Sequence, residues 1–163
     1  MDRLWSPWRH AYVTRNEGPG GCVFCDALAT DDGRRLTVFD GETCYVILNL
    51  YPYNSGHLMI VPRRHVATLA GLTAEELVEL AELTRRAEIA VTEAYAPQGM
   101  NLGMNLGRPA GAGIVDHLHV HLVPRWTGDT NFMSTVGNVR VLPEELTRTA
   151  ERLRPIFTRL SQS

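Results

Sequence analysis

Residues 116–126 read DHLHVHLVPRW and place His117, His119 and His121 at alternate positions, with Leu118, Val120 and Leu122 between them. A period of two is the pattern of an extended strand, whose successive side chains point to opposite faces. The chain must therefore build a sheet with one apolar face and one face lined by imidazoles. Burying imidazoles is costly unless each has a hydrogen-bond partner or a chemical task. Along a strand, residues two apart are separated by roughly 6.6 Å and residues four apart by about 13 Å. Zinc–nitrogen bonds are only about 2.0–2.1 Å, so one metal does not take all three rings. At least one histidine of the row has another task. The plainer alternative is three hydrogen-bonded sheet residues.

The flanking sequence supplies the rest of such a sheet. LTVFD, a turn at Asp40-Gly41 and TCYVILNL form a hairpin pattern. YPYNSG is turn-rich, and HLMIVP reads as a short buried strand ended by Pro62. Thr73 and Glu76 form a capping box, with Leu72 as its staple. Leu77, Leu80, Thr84, Ala87, Val91 and Ala94 follow at helical spacing, and Pro97 and Gly99 end the helix. MNLGMNLG reads as a fourth strand, RPAGAG as a flexible loop and IVDHLHVHLVP as the fifth strand. Pro143 opens a last helix, expected to be interrupted or kinked at Pro155. This order predicts an α+β fold: a mainly antiparallel five-stranded sheet with a long helix and a C-terminal helix. Residues 1–163 form one domain, in which residues 1–34 are an irregular N-terminal arm with Trp5 and Trp8 packed on the domain or on a second subunit.

A chain of 163 residues with 44 % apolar and 21 % charged residues is ordinary globular material. Its formal charge of -2 argues against nucleic-acid and membrane partners. The start, Met-Asp-Arg-Leu-Trp, lacks the pattern of a signal peptide, and no apolar run has membrane-spanning length, so a soluble, cytoplasmic chain is expected. Three cysteines do not make a disulfide framework. Cys44 lies in the strand pattern CYVILNL as a small hydrophobe. Cys22 and Cys25 form Cys-x-x-Cys, a spacing that serves either a metal knuckle or a redox pair.

The loop NLGRPAGAGIVD stands before the histidine row. Gly107, Gly111 and Gly113 let the backbone approach a ligand and aim N–H groups at it, and Arg108 adds a fixed positive charge suited to phosphate oxygens. Beside imidazoles, this loop suggests a phosphate held before a nucleophile. Neutral imidazole is a competent nucleophile and leaving group near pH 7, so histidine can carry a phosphoryl or nucleotidyl group between acceptors.

His117-Leu118-His119-Val120-His121-Leu122-Val123 resembles the signature of the histidine triad (HIT) superfamily, His-x-His-x-His followed by two apolar residues. The resemblance continues through LNLYPYNSGHLMIVPRRHVATLAGLT before the triad and PRWTGDTNFM after it. The opening Leu-Trp-x-Pro-Trp-Arg with Cys-x-x-Cys is similar, over nearly the whole chain, to a bacterial branch that resembles diadenosine tetraphosphate phosphorylases and dinucleoside polyphosphate hydrolases of the fragile-histidine-triad kind. The resemblance implies a HIT-like fold and an enzyme. It implies that His119 attacks the α-phosphorus to form a nucleotidyl-histidine, and that His121 steadies the same phosphate. It places Asn49 on the ribose hydroxyls and Asn105 where the fragile-histidine-triad proteins use a glutamine on the phosphates. His57 matches a supporting position, and a buried structural histidine is an equal reading of it.

More distant relatives, the galactose-1-phosphate uridylyltransferases, resemble this chain in joining a Cys-x-x-Cys to two histidines around one zinc. Carried over, the ligands are Cys22, Cys25, His65 and His117, a closed structural site. The resemblance also implies a homodimer that pairs sheets edge to edge and shares the long helix. The substrate is then a small nucleotide, and the transfer runs from a dinucleoside polyphosphate to phosphate or to water. Room left by the short Asn105, with Arg108, Gly111 and Gly113 to hold an incoming anion and Trp126 to dry the pocket, favours phosphate. A phosphoramidase and a nucleotide-binding sensor with little turnover are the competing readings.

Overall fold

The computed structural model describes residues 21–129 and 144–162; Trp5, Trp8, residues 130–133 and Pro143 lie outside them. Strands β1 (Thr37–Asp40), β2 (Cys44–Leu48), β3 (Leu58–Pro62), β4 (Gly99–Gly103) and β5 (Val120–Arg125) form one sheet in the order β1-β2-β3-β5-β4. Every neighbouring pair is antiparallel. Helices α1 (Val23–Asp26) and α2 (Asp31–Leu36) precede the sheet, α3 (Ala74–Tyr95) lies between β3 and β4, and α4 (Leu146–Leu160) follows β5. The expected α+β architecture is therefore present. The arm is less irregular than its glycines suggested, since α1 and α2 occupy part of it.

Both faces of the sheet are covered. Cys44, Val46, Leu48, Leu58, Ile60 and Leu122 point to the side closed by Leu80, Leu83, Ala87 and Ala90 of α3 and by Leu153 and Phe157 of α4. The alternate residues Tyr45, Ile47, Met59 and Val61 point the other way and pack with Phe24 and Ala27 of the arm. This explains why β2 and β3 are buried at all positions rather than at every second one. The histidines share the second face, with His121 of β5 in register with Met59 on one side and Gly103 on the other.

The capping box of α3 is formed: the Thr73 hydroxyl accepts from the Glu76 N–H at 3.2 Å, and the Glu76 carboxylate accepts from the Thr73 N–H at 2.8 Å. The buried stripe differs from the expected one. Leu77 is 48 % exposed, and Leu83 and Ala90 are buried in its stead. At 3.6 residues per turn Leu77 lies about 120° round the helix from Leu83. The two candidate stripes share Leu80, Ala87 and Val91, so periodicity alone left the facing direction open.

Two strands are shorter than expected. β4 stops at Gly103, and β5 begins only at Val120. Ahead of β5 the chain leaves the ladder, because the Leu118 N–H donates to the Val66 carbonyl beyond the end of β3. The RPAGAG loop contains a 3₁₀ turn, Arg108–Ala110. Pro155 does not interrupt α4. It faces solvent while Ala150, Leu153 and Phe157 hold the buried side, so the carbonyl it leaves without a helical partner faces water.

Candidate functional site

His119 is buried, and its Nδ1 lies 2.8 Å from the His117 carbonyl oxygen. A carbonyl only accepts, so Nδ1 carries the proton and donates it, and Nε2 keeps its lone pair. Burial lowers the pKa of the ring more than this bond raises it, which leaves a neutral imidazole near pH 7. The ring of His121 stands edge-on to that of His119, with centroids 4.8 Å apart. His57, fully buried, approaches His121 from behind: its Nε2 is 3.0 Å from His121 Nδ1. The Nδ1 of His57 accepts from the Tyr53 N–H at 3.1 Å.

A cleft of about 490 Å³, open to solvent, is lined by the His119 and His121 rings together with Asn49, Asn105, Gly111 and Gly113. Asn49 is set by its own turn, in which its Oδ1 accepts from the Tyr51 N–H at 2.9 Å. Asn105 Nδ2 donates to the Gly111 carbonyl at 3.3 Å and so ties the glycine-rich loop to the cleft wall. Gly111 has a φ of 90°, in the left-handed region that side chains disfavour.

Two of the expected binding residues stand apart. Arg108 is on the 3₁₀ turn beside the loop, and neither it nor Trp126 is among the residues lining the cleft. Trp126 follows β5 and is five residues beyond His121, roughly 16 Å along an extended chain. Its N–H donates to the Asp129 carboxylate at 3.1 Å in a local turn with Arg125. Alternation in the sequence did not reveal the aromatic contribution to the cleft, from Phe24, Tyr51 and Tyr53. Phe24 comes from a distant segment, and the signal that could have found it is its place between the two cysteines of the Cys-x-x-Cys.

Those cysteines meet two histidines. Cys22 and Cys25 on the arm, His65 after β3 and His117 before β5 bring four ligand atoms within 4.8 Å of one another. Cys22 Sγ is 3.2 Å from His117 Nδ1, and Cys25 Sγ is 3.3 Å from His65 Nδ1 and 3.6 Å from His117 Nδ1. Tetrahedral zinc with Zn–S of about 2.3 Å and Zn–N of about 2.0–2.1 Å separates neighbouring ligand atoms by roughly 3.3–3.8 Å, so the donor set fits that ion. The second partner of His117 also fits. Its Nε2 lies 2.8 Å from the Pro62 carbonyl, which fixes the proton there and turns the Nδ1 lone pair to the cysteines. Desolvation, followed by the neighbouring Cys22, pushes the Cys25 thiol up, a cost that a bound dication would relieve.

The family model of the HIT domain matches residues 34–128. A Mycobacterium tuberculosis protein described as AP-4-A phosphorylase is 40 % identical over 161 residues, covering 94 % of this chain and 82 % of that one. A Dictyostelium discoideum bis(5'-adenosyl)-triphosphatase is 29 % identical over 125 residues, 73 % of this chain and 83 % of its own length. Among solved structures, a Zn-bound histidine triad family protein from Mycobacterium smegmatis superposes with a TM-score of 0.69 at 28 % identity, covering 87 % of this chain and 96 % of that one.

Proposed function

The chain belongs to the HIT domain family, and from that premise we propose that it transfers a nucleotidyl group from dinucleoside polyphosphates such as diadenosine tetraphosphate, through a nucleotidyl-His119 intermediate, with phosphate favoured over water as acceptor. The reading is carried by one observation: His119 donates Nδ1–H to the His117 carbonyl and so presents an unprotonated Nε2 on a ring that lines the cleft. In the first step Nε2 attacks the α-phosphorus. The new N–P bond forms as the P–O bond to the rest of the polyphosphate breaks, and the leaving oxygen takes the electron pair. In the second step an acceptor oxygen attacks the same phosphorus and the N–P bond breaks, which returns the neutral ring. His121 donates from its cleft-side nitrogen to charge growing on the phosphate. Asn49, Asn105, Gly111 and Gly113 are proposed to bind substrate from the cleft wall, and Arg108 to act from the adjoining turn. The names of the two curated relatives support the substrate class.

Cys22, Cys25, His65 and His117 are proposed to hold one structural zinc, which cross-links the arm to the sheet when bound. The whole chain is read as one domain in a homodimer. In support, β4 is one of the two terminal strands and exposes Asn101, Leu102 and Gly103 along an edge that a second copy can pair with. No described helix is long and apolar enough to cross a membrane; a cytoplasmic setting is proposed, where Cys22 and Cys25 stay reduced for metal. The test is rapid quenching with diadenosine tetraphosphate. Wild type releases ATP and gains the mass of one AMP, and His119→Ala does neither while still binding nucleotide. ATP release by His119→Ala at the wild-type rate refutes the assignment.

A further inference from the structure

Phe24 stands between Cys22 and Cys25 in sequence and between the metal knuckle and the histidine row in space. Its side chain is 5 % exposed, whereas Val23 beside it is 47 % exposed. The Phe24 ring centroid is 4.9 Å from that of His119, tilted by 46°, and 5.5 Å from that of His117, edge-on at 73°. Resting on the reading of His119 as nucleophile, we propose that Phe24 is a positioning residue that couples the closed knuckle to the plane of the His119 ring.

The ring of His119 needs such a contact. Its bond to the His117 carbonyl anchors Nδ1, but the ring torsion of histidine is broad and roughly two-fold, so one anchor does not set the plane. His121 stands edge-on, 4.8 Å from the His119 ring, and Phe24 closes a further side. A flat ring against a flat ring restricts tilt in a way that an aliphatic side chain does not.

Phe24 in turn is held from outside its own helix. The segment Val23–Asp26 is a single turn without a side-chain cap, far too short to be stable alone. Its backbone is fixed by the Tyr45 hydroxyl, which donates to the Phe24 carbonyl at 2.7 Å, and by whatever holds the two cysteines beside it. Ligation of Cys22 and Cys25 clamps both ends of the dipeptide that carries the ring. The metal therefore reaches the site by two routes, through His117, whose carbonyl anchors His119 Nδ1, and through Phe24, which sets the plane of the ring.

The experiment uses full-length protein labelled with ¹⁵N-histidine and reads the long-range ring correlations of His119. Metal-loaded wild type gives one sharp tautomer with the proton on Nδ1. Phe24→Ala with one equivalent of zinc gives a broadened or doubled His119 signal, with His57 unchanged. Phe24→Leu, which keeps apolar bulk without a flat face, shows the same change to a smaller extent. Single-turnover ATP release falls alongside by about tenfold to a hundredfold, the usual cost of small misplacement of a reacting group. Chelation of the wild type reproduces the ring change, and the effects of chelation and of Phe24→Ala together are less than additive, as coupled contacts require. A single sharp His119 tautomer in folded, zinc-loaded Phe24→Leu and Phe24→Ala overturns the proposal; if Phe24→Ala does not fold, Phe24→Leu alone decides. If wild type cleaves no dinucleoside polyphosphate, the functional reading fails, and the ring signals still decide this one.

Discussion

His57 Nε2 lies 3.0 Å from His121 Nδ1, and this contact assigns the protons of both rings. The Tyr53 N–H donates to His57 Nδ1, so neutral His57 carries its proton on Nε2 and gives it to His121 Nδ1. Neutral His121 then carries its proton on Nε2, the nitrogen left for a phosphate oxygen. Loss of His57 removes this hydrogen bond from His121 Nδ1 and with it a restraint on the tautomer. His57→Ala should lower kcat by about tenfold, the equivalent of one net hydrogen bond of about 1.4 kcal/mol. His57→Gln, which keeps a donor of similar reach, should recover part of the loss. Equal rates for His57→Ala and wild type would show that His121 needs no support.

The metal reading makes a separate prediction. Cys25→Ser should remove about one equivalent of zinc and lower Tm by roughly 4–8 °C, corresponding to about 2 kcal/mol. Chelator should lower the Tm of wild type but leave that of the variant unchanged. Elemental analysis and differential scanning calorimetry decide it. Zinc retained at full stoichiometry by Cys25→Ser would remove that thiol from the ligand set.

What could be read from the sequence follows from the range of each interaction. The histidine row and the capping box were legible because strand and helix periodicity are local. Cys25 and His65 are 40 residues apart, and Cys25 and His117 are 92 apart, so only a family resemblance could join them. His57 and His121 are 64 apart, which is why a buried structural histidine remained an equal reading. Phe24 carries no sequence signal beyond its place between the two cysteines. Trp126 does not line the cleft, because nearness in sequence to the triad stands for distance when the chain between is an extended strand. Leu77 and Leu83 both fit a helical stripe, and only packing against the sheet separates them.

Glu76 gives the stability of the fold a pH dependence with a definite sign. The Arg64 guanidinium, then the Thr73 N–H, lower its pKa from 4.5 to about 2. A carboxylate held low in the folded state stabilises it above the unfolded pKa, and that contribution is lost as pH falls from about 4.5 through about 2. Arg64→Ala removes the larger cause and leaves the Thr73 bond. Urea midpoints should show wild type more stable than Arg64→Ala at pH 6, with the gap closing as the pH approaches 2. A gap that stays constant across that window would show that Arg64 acts through packing and not through the Glu76 charge.

The choice of acceptor turns on what stands opposite the scissile phosphorus. Both outcomes start from the same nucleotidyl-His119, so only the acceptor side of the cleft separates them. A phosphorylase must bind a second anion there and seat it well enough to outcompete water, which needs no site. Asn105 spends a donor on the Gly111 carbonyl, holding the glycine-rich loop against the cleft, and Gly111 and Gly113 both line it. The Gly111 N–H is taken by the Arg108 carbonyl at 2.9 Å, so Gly113 is the position at which a backbone N–H can come close to an oxyanion. Arg108, on the turn in that loop, supplies a guanidinium whose fork of donors suits phosphate oxygens. Trp126 does not line the cleft, and among the described residues Phe24, Tyr51 and Tyr53 supply the aromatic wall that limits water there. Diadenosine tetraphosphate with millimolar phosphate should therefore give ADP plus ATP, and without phosphate a slow release of AMP plus ATP. Arg108→Ala should raise the KM for phosphate by up to about tenfold, the loss of one exposed charged contact, while leaving the slow hydrolysis unchanged. AMP plus ATP appearing at the same rate with and without phosphate would make water the acceptor and the glycine-rich loop a substrate-binding element only.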